Sequence, residues 1–155
     1  MHTVILGIGN SLLQDDGAGI HAIRYLESAD TGRDDITLVD GGTLSFNLAT
    51  ILGDADQFIV VDAARMDSRP GSVRVFVDDE MDLFIGSHRK ASVHEVGLLD
   101  LMTVLRLTDA MPRRRALVGI EPRDMDWSET PSDEVARAIP EACARVLGLV
   151  EEWAA

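Results

Sequence analysis

The sequence holds one cysteine, Cys143. A lone cysteine closes no internal disulfide and builds no cysteine-based zinc site. No stretch reaches the roughly 18 consecutive apolar residues of a membrane-spanning helix. The opening, Met1-His2-Thr3 followed by Val4 to Leu6, has no basic region and no long apolar core, so a secretory signal is not expected. Basic residues are scarce: 14 Lys and Arg face 27 Asp and Glu, a formal net charge of −13. Phosphate backbones and anionic membranes call for basic faces, so neither nucleic acid nor membrane is expected as a partner. These absences together lead us to expect a soluble, cytoplasmic chain, most simply a monomer.

Familiar catalytic signatures are missing as well. Gly7-Ile8-Gly9-Asn10-Ser11-Leu12 begins like a dinucleotide fingerprint but has Leu12 where the third glycine belongs, and there is no G-K-[ST] phosphate loop. His94-Glu95 is followed by Val96-Gly97-Leu98, so the H-E-x-x-H zinc motif fails. No G-x-S-x-G elbow exists. Cys143 sits among helix residues without an adjacent histidine and reads as packing.

What is present is 155 residues, 46% of them hydrophobic, enough for one domain with a substantial core, taken as residues 1–155. Five short apolar runs predict strands: Thr3 to Ile8, Ile36 to Val39, Phe58 to Val61, Ser72 to Val77 and Ala116 to Ile120. Only about ten residues separate the third run from the fourth, fewer than the dozen or so that a parallel crossover needs, so the fourth strand should run antiparallel. Between the runs lie helical patterns. Ile20, Ile23 and Leu26 follow Asp15-Asp16; Thr43 can cap a short helix with Leu44, Leu48, Ile51 and Leu52. Ser92 to Glu95 fits a capping box opening a helix to Leu107 that is apolar nearly all round and so should be buried. Thr130-Pro131-Ser132-Asp133 starts a last helix, with Pro131 at its first position and Pro140 kinking or splitting it. Arg65 to Pro70 and Asp78 to Lys90 read as loops. The expected fold is an α/β three-layer αβα sandwich around one mixed five-stranded sheet, mostly parallel with one antiparallel strand.

In open α/β sheets ligands bind beyond the carboxyl ends of the parallel strands. Those ends carry Asn10, Asp40, Asp62 and Glu121, with Asp16 close behind the first. Carboxylates gathered on one rim repel unless something cationic joins them, which makes a metal or a basic ligand a candidate. Strand-end Asp and Asn also serve as plain turn formers, and spacing alone leaves both readings open. His94, at the second position of its helix, faces the positive end of the helix dipole and should stay neutral, as a metal ligand must. A histidine hydrogen-bonded at a helix end fits equally well. His2, His21 and His88 fall at a terminus, on a helix face and in a polar loop.

Five segments, in order, resemble the hydrogenase maturation endopeptidases: Gly7 to Gly19, Asp40-Gly41-Gly42-Thr43, Val60-Val61-Asp62-Ala63, His94 with Gly97-Leu98, and Val118-Gly119-Ile120-Glu121-Pro122. The resemblance runs from about Met1 to Trp153. It implies an endopeptidase that clips a short carboxy-terminal extension from the nickel-loaded precursor of a nickel-iron hydrogenase large subunit. It also implies that nickel, carried by that precursor, is the recognition point and that Asp16, Asp62 and His94 contact it as metal-binding and catalytic residues. Asp16 stands where members vary between Glu and Asp. Two carboxylates and an imidazole suit a divalent ion of borderline preference and leave coordination positions open. The metal could polarise the scissile carbonyl, or an aspartate could act as general base on a water. A non-enzymatic nickel-binding accessory protein would use the same three residues, and a nucleotide-binding module on Gly7 to Gly19 is a further alternative.

Overall fold

The computed structural model describes residues 1–42, 47–87 and 93–155, and of residues 93–96 the helical backbone alone. Five strands, β1 (Thr3–Ile8), β2 (Ile36–Gly42), β3 (Gln57–Ala63), β4 (Val73–Val77) and β5 (Arg114–Ile120), form one sheet in the order β2-β1-β3-β5-β4. Four run parallel, and β4 pairs with β5 antiparallel, as the short connection required. The helices are α1 (Ala18–Ala29), α2 (Asn47–Gly53), α3 (Asp79–Ser87), α4 (Val93–Leu107) and α5 (Asp133–Ala154).

Strand side chains alternate between faces, and the core divides accordingly. Ile5, Ile59, Val61, Ala116, Val118 and Ile120 pack under α1 and α5. Val4, Leu6, Ile8, Phe58, Val60 and Leu117 pack under α2, α3 and α4. The result is the three-layer sandwich with one mixed sheet. β1 and β3 are buried throughout because helices cover both of their faces.

Several expectations need correction. The stretch from Asp78 was expected as loop, yet Asp79–Ser87 is α3, with Met81 and Ile85 buried one turn apart and acids in its first turn. Arg115 of β5 grips Asp82 of α3 through paired bonds of 2.9 and 2.5 Å, and Arg106 of α4 reaches the same carboxylate at 2.9 Å. Burial pushes the Asp82 pKa up, but these guanidinium contacts outweigh it and hold the group below the usual carboxylate value. β2 does not stop at Val39. It continues through Asp40 to Gly42, with a register shift opposite Gly7 and Ile8. α4 is buried on one face only: Leu98, Leu101, Met102 and Leu105 are covered, while Leu99 and Leu107 are exposed. Pro131 precedes the last helix; Ser132 is its N-cap. α5 runs unbroken through Pro140, its apolar stripe from Val135 to Trp153 buried as expected. Thr43, Leu44 and Ser92 lie outside the described residues.

The start of α1 packs tightly on the strand ends. A Cβ added to Gly19 would lie 2.2 Å from the Val61 carbonyl oxygen and 2.5 Å from that of Ile8. Only glycine lets this helix rest on the ends of β1 and β3. Gly19→Ala should therefore destabilise the protein by at least about 2 kcal/mol, since backbone cannot yield as a side chain can. Gly148 of α5 has open space around its Cα. Gly148→Ala should stabilise by about 0.5–1 kcal/mol through helix propensity. Chemical denaturation of the two variants tests both signs.

Candidate active site

Strand order reverses between β1 and β3. β1 leads through α1 to β2 on one side, and β3 lies on the other. A crevice outside the carboxyl ends of the strands is expected at such a switch point. Asp16 and Asp62 stand there. Asp16 lies in a tight 3-10 turn, Gln14–Gly17, between β1 and α1. That turn contacts β3, and Gly19 seats it against Val61, the residue before Asp62. Asp62 follows Phe58 and Val60 in the alternation of β3, so it belongs to the face covered by α4. Both carboxylates are buried, at 8% and 2% exposure.

Local bonds aim Asp16. The Asn10 N–H donates to Asp16 Oδ2 at 3.0 Å, while Asn10 Oδ1 accepts the Leu12 N–H at 3.0 Å. Gly9, at φ +137°, permits the turn; a Cβ there would lie 2.0 Å from the Asp16 carbonyl oxygen. The side chain of His94 lies outside the described residues. Its backbone is in the first turn of α4. The carboxyl end of α4 lies by Gly53, just before β3 begins, and seven residues on β5 starts. The first turn of α4 thus points toward the carboxyl rim. Among the described residues no three His, Cys, Asp or Glu side chains gather closely enough to hold an ion.

The other rim acids have structural tasks. Glu121 Oε1 accepts the N–H groups of Met66 and Ser68 at 2.7 and 2.9 Å, fastening the irregular segment from Arg65 to Pro70. Asp40 Oδ1 accepts the Gly42 N–H at 3.0 Å, a local turn. Here the turn-former reading holds. His2 pairs with Thr37 at 3.0 Å, and His21 is half-buried on α1. Burial, then the nearby Arg24 charge, lowers the His21 pKa. Cys143 packs under α1, its thiol 3.5 Å from the Ala22 carbonyl oxygen, and burial pushes its pKa up to about 12. It is no nucleophile.

The residue that sequence reasoning passed over is Asp15. It is fully buried. Its Oδ2 accepts the N–H groups of Arg123 and Asp124 at 2.8 and 3.0 Å and the Ser132 hydroxyl at 2.7 Å. Its Oδ1 accepts the Ser132 N–H at 2.7 Å. The cap of α5, the loop after β5 and the turn carrying Asp16 thus meet on one carboxylate. The available signal was the doubled acid Asp15-Asp16: two adjacent acids on a tight turn face different ways.

A family model described as hydrogenase maturation protease matches residues 20–149. The chain is 32% identical over 151 residues to the hydrogenase expression/formation protein HupD of Rhizobium leguminosarum bv. viciae, covering 97% of this chain and 74% of that one. The hydrogenase 2 maturation protease of Escherichia coli is 29% identical, over 98% and 92%. The solved hydrogenase maturating endopeptidase HybD from E. coli superposes with a TM-score of 0.89 at 29% identity, covering 98% and 93%. The chain belongs to the hydrogenase maturation protease family. It is a peptidase, which decides against the non-enzymatic accessory reading.

Asp15 sets a pH dependence. Burial alone would raise its pKa, but the bonds from Asp124, Ser132 and Arg123 outweigh that and lower it below the ordinary value of 3.8. A carboxylate with a depressed folded pKa stabilises the fold fully above its unfolded pKa, and that contribution fades as pH falls through the folded value. Stability should therefore drop progressively below about pH 4. Asp15→Asn turns acceptor into donor on one side and should cost about 3 kcal/mol at neutral pH, from buried N–H groups left without acceptors. Its acid limb should be flatter than that of wild type in urea titrations at stepped pH.

Proposed function

We propose that this peptidase removes a short carboxy-terminal extension from the nickel-loaded precursor of a nickel-iron hydrogenase large subunit. The observation that carries the reading is the pair of buried carboxylates, Asp16 and Asp62, at the switch-point crevice, on a chain of this family. The metal is part of the substrate. Asp16, Asp62 and His94 are the residues proposed to contact it. Their two carboxylates and one imidazole are a donor set suited to a borderline divalent ion. Contact with the ion would bring the adjoining tail to the rim, where its scissile carbonyl can be attacked by water.

Hydrolysis of this kind is aspartyl-type. Cys143 is buried away from the rim with its thiol protonated, so no cysteine nucleophile is available. Asp16 has the orientation to contact a ligand or accept a proton, because the Asn10 N–H fixes its Oδ2. Substrate choice follows from the same arrangement. An extended tail near a bound nickel ion is recognised, whereas a generic unfolded chain brings no cation to join the carboxylates. The substrate is a folded partner with an exposed tail, and unrelated unfolded proteins should remain intact.

Mass spectrometry of the precursor before and after incubation, with and without nickel, is the direct test. A shortened product only with the nickel-loaded form is the expected result, and ready digestion of a casein-like substrate would defeat the proposal. His94→Ala should leave stability within about 1 kcal/mol, as the second position of a helix makes no backbone demand on its side chain. Its processing should fall by more than the roughly 10- to 100-fold that loss of a mere supporting partner costs a metal site. Asp62→Ala should behave alike with a somewhat larger loss of stability. Normal cleavage by a folded His94→Ala protein would remove His94 from the mechanism.

A further inference from the structure

Beside the rim the chain exposes an apolar pair that the chemistry does not use. Trp127 is 80% exposed and Leu12 is 48% exposed. They sit on two short segments held together by backbone bonds. Leu13 and Ser128 form a parallel bridge, the Ser128 N–H donates to the Leu12 carbonyl at 3.0 Å, and the Gln14 N–H donates to the Ser128 carbonyl at 2.8 Å. In that register Leu12 lies beside Trp127, and neighbours in a parallel pair project to the same side. The support is firm. The Leu12 N–H is held by Asn10 Oδ1, and the Asp15 N–H donates to the Asp124 carbonyl at 3.1 Å.

A rigidly mounted, solvent-exposed tryptophan costs little ordering entropy on binding and is a frequent interface anchor. Its surroundings define the partner. Asp126 and Glu129 flank Trp127 and are exposed, and the whole chain carries −13. The nearby Arg123 is engaged by Glu134 at 3.1 Å and by Asp124 at 3.5 Å. A complementary surface is an apolar socket rimmed by lysine or arginine.

We propose that Leu12 and Trp127 form a docking ridge that seats the folded body of the large-subunit precursor through an apolar socket with a basic rim, separately from the tail that is cut. This rests on the proposed function for the identity of the partner. Continuity with the site supports it: the same connection between β1 and α1 carries Leu12 and, four residues on, Asp16.

The test measures binding and cleavage separately, with purified wild type and Trp127→Ala and the nickel-loaded precursor. Trp153 is buried, so the red edge of the fluorescence reports Trp127, and it should shift to the blue when the precursor binds wild type. Trp127→Ala should melt like wild type, bind the precursor about 30-fold more weakly, the loss that marks an interface anchor, and show a raised KM with kcat retained at saturation. The mature large subunit, lacking the extension, should still shift the Trp127 emission. Affinity should fall as salt rises. Unchanged binding and KM in Trp127→Ala, or a fall in kcat alone, would overturn the proposal. So would self-association of wild type that Trp127→Ala abolishes, because the ridge would then serve a second copy of this chain. Binding that is indifferent to salt would overturn the basic rim. Wild type that binds through Trp127 but never shortens the precursor would refute the proposed function and leave the docking ridge standing. Wild type that does not bind the precursor at all would overturn the ridge.

Discussion

The Asp15 carboxylate is the fastening on which the rim depends. It accepts four hydrogen bonds at 2.7 to 3.0 Å from three residues more than a hundred positions away. Through them the turn between β1 and α1 is locked to the loop after β5 and to the first residues of α5. A charged acceptor fully buried in this way is stable only because every bond is made; loss of several at once would leave both the charge and its donors stranded. The bonds also explain an apparent defect of α5. Its N-cap, Ser132, makes no capping bond with its own side chain, because the hydroxyl is committed to Asp15. The charge of Asp15 lies at the same helix end, where the macrodipole favours an anion.

With that turn fixed, Asp16 inherits its position. Its backbone is held through its neighbour, its Oδ2 by Asn10, and the helix that follows rests on the strand ends through Gly19. Asp62 arrives independently, on a central strand buried on both faces. Two carboxylates reach one rim by unrelated routes, one through a loop staple and one through sheet register. Rigid supports of both kinds are what a site needs to hold its groups in place before a ligand comes.

The sheet was legible because its strands are short, apolar and punctuated, and because the spacing before Ser72 forced the antiparallel edge. The αβα layers followed from the alternation of strands and helices. What sequence could not supply were tertiary effects. α3 was hidden because its acid-rich start resembles a loop, and its helix is secured by Arg115 and Arg106, which lie 33 and 24 residues from Asp82 in the chain. α4 looks apolar all round, yet Leu99 and Leu107 face outward because only one face meets the sheet. At the rim, position along the strands named Asp16, Asp40, Asp62 and Glu121 but not their duties. Glu121 proved to fasten the segment from Arg65 to Pro70, Asp40 to bond Gly42 at the end of β2, and Asp15, which the strand ends did not single out, to be the staple. The three proposed metal contacts came from resemblance to a family, not from spacing.

A division of labour among the acids follows. Carboxylates that accept several backbone N–H bonds are neutralised in effect by fixed dipoles and can be buried without a cation. Asp15 has three such bonds and a fourth from the Ser132 hydroxyl, and Glu121 has two on one oxygen, so neither calls for an ion. Asp16 and Asp62 are buried too, but they stand at the carboxyl rim of the sheet, where the strand order reverses. On the proposed reading, the ion that joins them is delivered by the substrate, so the pair would reach its most favourable electrostatic state only when the correct precursor is docked. Selectivity then has two independent sources, a cation that relieves the rim and a body that fits the ridge at Leu12 and Trp127. A protein lacking either would be held weakly. A peptidase of 155 residues can remain specific by this means, because recognition is distributed over the partner instead of over the few residues around the scissile bond.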